Sequence, residues 1–241
     1  MSPNPTKRPL RPAQYTGQEL ISAILNGKYP PGATLPSERR LSESLGVTRQ
    51  TVREALQRMS AEGWISICHG KATRVNDFWK TGGLGLLGTL ARHAESLSPG
   101  LIRYLLEFRL NILPDVAALA ASKNPGAISS HLSKLSTSLP ANADAFTRFD
   151  WDLQIMFARE SKNPIYQLIL NDFEYIFMTL GTTYFKVKAA REASVDYYKK
   201  LSKAVSLGPD NVRNAVFEGL ETSIGIWESI KQDGFVKIRN Q

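Results

Sequence analysis

The sequence predicts a mainly α protein: an N-terminal winged helix-turn-helix, α with a small β-hairpin wing, followed by a C-terminal all-α helical-bundle domain. Three observations predict it. Two short amphipathic stretches flank Gly46-Val47, a strand-like alternation begins after Gly63, and helical periods separated by prolines fill the chain from about residue 84.

Residues 1–14 are rich in Pro, Lys and Arg without an apolar period, which predicts a flexible tail. A first helix starts near Gly17, places Leu20, Ile21, Ile24 and Leu25 at helical spacing, and stops at Asn26-Gly27. After the Tyr29-Pro30-Pro31-Gly32 turn, Ser37 is the expected N-cap of a second helix that Gly46 closes. Thr48 then caps a third, with Val52, Leu56 and Met59 on one face. Trp64 to Cys68 and Ala72 to Val75 are expected strands around a His69-Gly70-Lys71 turn, which makes a wing. The expected layout is a winged helix-turn-helix over 15–77, a linker over 78–83 and a helical domain over 84–241. Within the last, helices are expected near 84–94, 98–122, 125–137, 143–161, 163–188, 190–206 and 209–232.

Charge divides the chain in the same place. Residues 1–80 hold twelve Lys and Arg against six Asp and Glu, whereas the remainder holds 18 against 16, within a net charge of +8. A basic module on a near-neutral one points to a polyanion partner, because Lys and Arg gain affinity by displacing phosphate counterions. Cys68 is the single cysteine, so no intramolecular disulfide forms and a small packing residue is expected. No stretch has the apolar length of a membrane span, and Met1–Arg11 lacks the apolar core of a leader, so a cytoplasmic location is expected.

A helix-turn-helix reads duplex DNA with the amino end of its second helix, here Thr48-Arg49-Gln50-Thr51-Val52-Arg53. Arg forks onto guanine, Gln pairs with adenine, and Thr meets a phosphate, a base edge or a thymine methyl. Arg49 and Arg53, four apart, share a face. Arg39 on the preceding helix is placed to reach the groove or a phosphate, and His69 and Lys71 at the wing tip to enter a minor groove. The plain alternative makes Arg49 and Arg53 surface residues paired with Glu54 or Glu43. Agreement of helix, glycine turn, helix and hairpin on one architecture outweighs it.

The blocks Leu35-Pro36-Ser37-Glu38-Arg39, Leu45-Gly46-Val47-Thr48-Arg49, Thr51-Val52-Arg53, Ala55-Leu56 and Glu62-Gly63-Trp64 resemble the winged-helix signature of the GntR family. That resemblance implies a bacterial transcription regulator whose operator contacts are Arg39, Thr48, Arg49, Gln50, Thr51, Arg53, His69, Gly70 and Lys71. It also implies a homodimer on a palindromic double-stranded operator, since twofold protein symmetry is mirrored in half-sites.

The helical domain resembles the fatty-acid-regulator class of this family, many members of which hold a metal through one Asp and three His. Only His69, His93 and His131 are present, and Gln154 stands where the metal-binding members place a histidine, so no metal is expected and His93 and His131 are read as surface or packing residues. Blocks such as Thr89-Leu90-Ala91-Arg92, Arg109-Leu110-Asn111-Ile112, Asn163-Pro164-Ile165-Tyr166, Tyr184-Phe185 and Ile226-Trp227 resemble the metal-free members. The resemblance implies repression of fatty-acid degradation, activation of unsaturated fatty-acid synthesis, and release from DNA by long-chain acyl-CoA as effector, with no cofactor. Arg109 is then the expected phosphate partner, Ser223 and Trp227 the partners of the CoA moiety, and Tyr184 and Tyr198 tunnel walls.

A small organic acid, sensed with or without a metal, is the alternative effector. An acyl-CoA-processing enzyme is a further one, but no nucleophile and base pair, Gly-x-Ser-x-Gly or paired carboxylates stand out, and an enzyme is not expected. Gly82-Gly83-Leu84-Gly85 follows no strand and lacks a Gly-Lys-Ser/Thr sequel, so a flexible joint is expected there instead of a phosphate loop.

Overall fold

The computed structural model describes residues 11–68, 70, 72–83, 86, 89–90, 99–134 and 142–239. The chain folds as two compact units, Met1–Leu97 and Ser98–Gln241.

In the first unit, α1 (Pro12–Leu25) packs on α3 (Arg49–Ala61), and α2 (Glu38–Leu45) lies across α3. Leu20, Ile21 and Ile24 bury against the stripe Val52, Ala55, Leu56 and Met59, which repeats at helical spacing. Helix α1 starts earlier than expected. Ala13 and Thr16 are buried, extending the stripe back one turn, and the Gln14 side chain accepts the Arg11 N–H at 3.2 Å, so the expected tail is helical from Pro12 onward. Residues 1–10 of that tail lie outside the described residues. The Ser37 and Thr48 oxygens accept the N–H groups of Arg40 and Thr51, and Gly46 adopts a positive φ of 65° that closes α2.

The wing is shorter than the alternation suggests: β1 (Ile65–Ser66) pairs antiparallel with β2 (Arg74–Val75), in the register Ile65 with Val75. Thr34 adds a bridge to Arg74 that the pattern did not predict. Beyond Ser66 the chain loses cover, with Ile67 and Cys68 exposed, so the expected packing role of Cys68 is not met. Residues 78–83, expected as linker, contain a packed turn of helix, α4 (Phe78–Thr81), whose Phe78 ring lies 4.8 Å from Trp64. Leu86, Thr89 and Leu90 are buried in this same unit, and the Thr89 hydroxyl donates to Glu62 at 2.8 Å. The rest of the helix expected at 84–94, with Gly85 of the glycine-rich joint and His93, lies outside the described residues.

The second unit consists of α5 (Pro99–Lys123), α6 (Pro125–Ser133), α7 (Ala143–Glu160), α8 (Pro164–Phe185), α9 (Lys188–Leu207) and α10 (Pro209–Arg239). Asn124, Asn142 and Asn163 each cap a helix by accepting a backbone N–H, in two cases just before a proline whose missing N–H costs nothing at that position. Helix α10 packs on α5 and α9, and α7 on α5 and α8. Leu113, Val116, Ala117, Ile128, Leu153, Phe157, Leu201, Val212 and Val216 form the core.

Candidate DNA-reading face and effector cavity

Position along α3 decides what its side chains do. Val52, Ala55, Leu56 and Met59 face inward, while Thr48, Arg49, Gln50 and Arg53 are exposed and Thr51 is half-buried. The amino end of α3 is therefore presented outward, as major-groove reading requires. Thr48 and Thr51 bond to each other through their hydroxyls at 2.9 Å, a local contact that fixes the cap. Arg53 is clamped by Glu38, Nε to Oε1 at 3.1 Å and Nη2 to Oε2 at 2.8 Å. The hydrogen bond from Arg53 holds the Glu38 carboxyl below its ordinary pKa, and the charge of Arg49 adds to the effect. The expected alternatives of Glu54 or Glu43 as partners of Arg53 give way to Glu38, because α2 crosses α3 and brings that residue alongside. Glu43 pairs instead with Arg39 at 3.5 Å. Gly70 takes a positive φ of 71° at the wing turn. His69 and Lys71 lie outside the described residues.

The second unit holds an apolar cavity of about 140 Å³. Leu106 and Ile112 from α5, Trp151 from α7, Phe173 and Phe177 from α8 and Leu220 from α10 supply its apolar walls. Four of the residues expected to meet a ligand, Arg109, Tyr184, Ser223 and Trp227, line it together. Tyr198 does not. Neighbours on a helix point about 100° apart, and it is Tyr197 that faces the cavity, while Tyr198 is fully buried and donates its hydroxyl to Asp150 Oδ1 at 3.0 Å. Burial, and next the negative charge of Asp150, push both the Tyr184 and Tyr198 hydroxyls above the ordinary tyrosine range, so each stays a neutral O–H.

Asp150 is the centre of a buried polar network. Arg109 Nη2 donates to its Oδ2 at 3.1 Å and Arg109 Nε to Gln154 Oε1 at 3.0 Å. Gln154 Nε2 also donates to Asp150 Oδ2 at 3.0 Å. The guanidinium lies 5.2 Å from the Phe177 ring centroid. Arg109, expected to bind phosphate, thus spends Nε and Nη2 inside the protein. The same geometry bears on whether a metal fits here: both Asp150 oxygens accept hydrogen bonds, a guanidinium supplies the balancing charge, and an amide stands where an imidazole is needed, so the donor set does not suit one. Among the described residues no three His, Cys, Asp or Glu side chains cluster as metal ligands. His131 is a packing residue, buried 4.5 Å from the Phe149 ring with Nε2 3.2 Å from the Phe149 carbonyl oxygen.

Two glycines shape the cavity wall. A Cβ on Gly181 of α8 would overlap Thr147 of α7, and one on Gly219 of α10 would overlap Tyr197. Glycine inside a helix costs about 1 kcal/mol relative to alanine, which close packing at both places offsets. Nothing local in the sequence marks Glu38, Gln154 and Tyr197 for these roles. Glu38 and Gln154 offer only a charge or an amide opposite an arginine many positions away, and Tyr197 only its adjacency to Tyr198.

Residues 12–75 match the family model for bacterial regulatory proteins of the gntR family, and residues 76–235 match that of the FadR C-terminal domain. The chain is 40% identical over 224 residues to proteins named fatty acid metabolism regulator protein from Yersinia pestis and Yersinia pseudotuberculosis, covering 91% of this chain and 92% of theirs. A solved structure described as Lar, which controls the Listeria monocytogenes agr system, shares the fold with a TM-score of 0.53 at 15% identity, over 92% of this chain and 98% of that one. Among the described residues no helix is long and apolar enough to cross a membrane. The chain belongs to the GntR family of DNA-binding transcription regulators, with a winged helix-turn-helix followed by a FadR-type C-terminal domain.

Proposed function

We propose that this protein regulates fatty-acid metabolism as a cytoplasmic homodimer, holding a palindromic operator through α3 and the wing and leaving it when long-chain acyl-CoA enters the helical unit. It represses degradation genes and activates unsaturated fatty-acid synthesis in this reading, and it catalyses no reaction. The observation that carries the effector assignment is the cavity: an overwhelmingly apolar wall that leaves Ser223 and Trp227 to meet the CoA moiety, since Arg109 is engaged with Asp150. Ser223 and Trp227 sit one turn apart on α10, the serine donating to the Leu220 carbonyl at 2.7 Å while its own oxygen can still accept.

At about 140 Å³ the cavity is smaller than the roughly 300–1,000 Å³ of a typical ligand site. A long acyl chain therefore has to spread the helices, and that required movement is what links occupancy to DNA affinity. To act as an inducer the ligand must bind the DNA-free state more tightly, with couplings of about 1–3 kcal/mol. The small volume also favours a second reading, a small organic acid. Against it, the wall is overwhelmingly apolar and the guanidinium that would meet a carboxylate is engaged with Asp150.

Mobility-shift titration of an operator with and without oleoyl-CoA tests the proposal. Loss of the complex at saturating ligand is expected, and unchanged DNA affinity overturns the effector assignment.

A further inference from the structure

Adjacent tyrosines on α9 are held in different ways. Tyr198 is anchored by its hydrogen bond to buried Asp150. Tyr197 lines the cavity and lays one edge of its ring, Cγ, Cδ2 and Cε2, where a side chain at position 219 would begin: a Cβ there would come within 2.8 Å of Cγ and 2.9 Å of Cε2. Its ring also meets Tyr198 at 5.2 Å, tilted by 51°. Glycine is a poor residue for a helix interior, and α10 places one opposite this ring, so the ring rests on bare backbone. Gly219, Leu220, Ser223 and Trp227 follow one another along the α10 side of the cavity, and the ring lies at the Gly219 end of that row.

We propose that Tyr197, seated on Gly219, is the stop that sets how long an alkyl chain the cavity accepts. The proposal rests on the acyl-CoA reading for the identity of the chain, while the length limit itself follows from the ring and the glycine. Withdrawing the ring lengthens the apolar row; forcing it off the glycine shortens the row. Each further methylene buried is worth roughly fourfold in affinity, so a displaced stop shows as a displaced optimum in a length series.

The test titrates the full chain with acyl-CoAs graded from octanoyl to oleoyl, and in parallel with unbranched fatty alcohols that carry the chain without CoA. Fluorescence of Trp151 and Trp227, both in the cavity wall, reports binding. Tyr197→Leu and Tyr197→Ala are expected to move the optimum to longer chains, Tyr197→Phe to keep the wild-type optimum, and Gly219→Ala to move it to shorter ones. Helical circular dichroism selects the variants that fold, and the leucine variant keeps apolar packing if the alanine one does not. The same optimum in wild type and in the folded leucine variant overturns the proposal. Alcohol binding with the shift present, but no response to any acyl-CoA, discards the acyl-CoA reading and retains the stop. Failure of wild type to bind either series overturns both.

Discussion

Two arginine–carboxylate pairs sit in the two units, one a two-point clamp and the other a single contact shared with Gln154, and their surroundings give them opposite meanings. Arg53 and Glu38 meet at 2.8 Å with half of the arginine side chain in water, whereas Arg109 and Asp150 meet at 3.1 Å with 21% and 10% of their side chains exposed. In water, the arginine can exchange its carboxylate for a phosphate or a guanine edge at little cost, so the first pair is a resting state for a reading residue. Inside, the loss of either partner strands a charge away from solvent, and the second pair becomes part of the framework.

The largest effect that would break this contrast lies in the buried pair. Asp150→Ala is expected to lower stability by about 3–5 kcal/mol, read as a drop in thermal midpoint of the full chain. A midpoint near that of wild type would show that Asp150 is not a framework residue. Next in size, Arg49→Ala or Arg53→Ala should weaken specific operator binding about 5- to 150-fold and relax base preference without moving the midpoint. An equal loss on every DNA sequence would place these arginines on phosphates.

A smaller change sharpens the comparison. Glu38→Gln frees the Arg53 guanidinium and reduces acidity beside the DNA, so operator affinity should rise and its salt dependence steepen, with stability nearly constant. Reduced affinity would mean that Glu38 orients Arg53 instead of competing for it. The smallest expected effect is a pH dependence. Burial holds His131 below its ordinary pKa. A base depressed in the folded state binds more protons when unfolded, so its contribution is complete above the unfolded value near 6.5 and declines as pH falls below it. His131→Gln should flatten stability measured by denaturant titration between neutral pH and mild acid, and an unchanged profile would show that His131 does not contribute.

Much of the reading unit was legible beforehand, because its signals are local. The Ser37 and Thr48 caps, the Gly46 closure and the inward face of α3 all depend on residues within a few positions of one another. The sequence predicts α1 only from Gly17, because Ala13 and Thr16 carry no local signal and belong to the helix through their burial. In the helical unit the proline and asparagine punctuation located the elements, yet it could not say which of two neighbouring tyrosines faces the cavity. Nor could it show that Arg109 is already engaged.

By itself, then, the order of residues determined the winged helix-turn-helix, the helical second unit and the outward-facing basic end of α3. Tertiary structure decided the partners. Arg53 finds Glu38 across 15 positions and Arg109 finds Asp150 across 41. Caps, turns and periodicity act over one or two turns of backbone, while an ion pair or a cavity wall exists only after distant helices have packed and fixed which side chains share the same space.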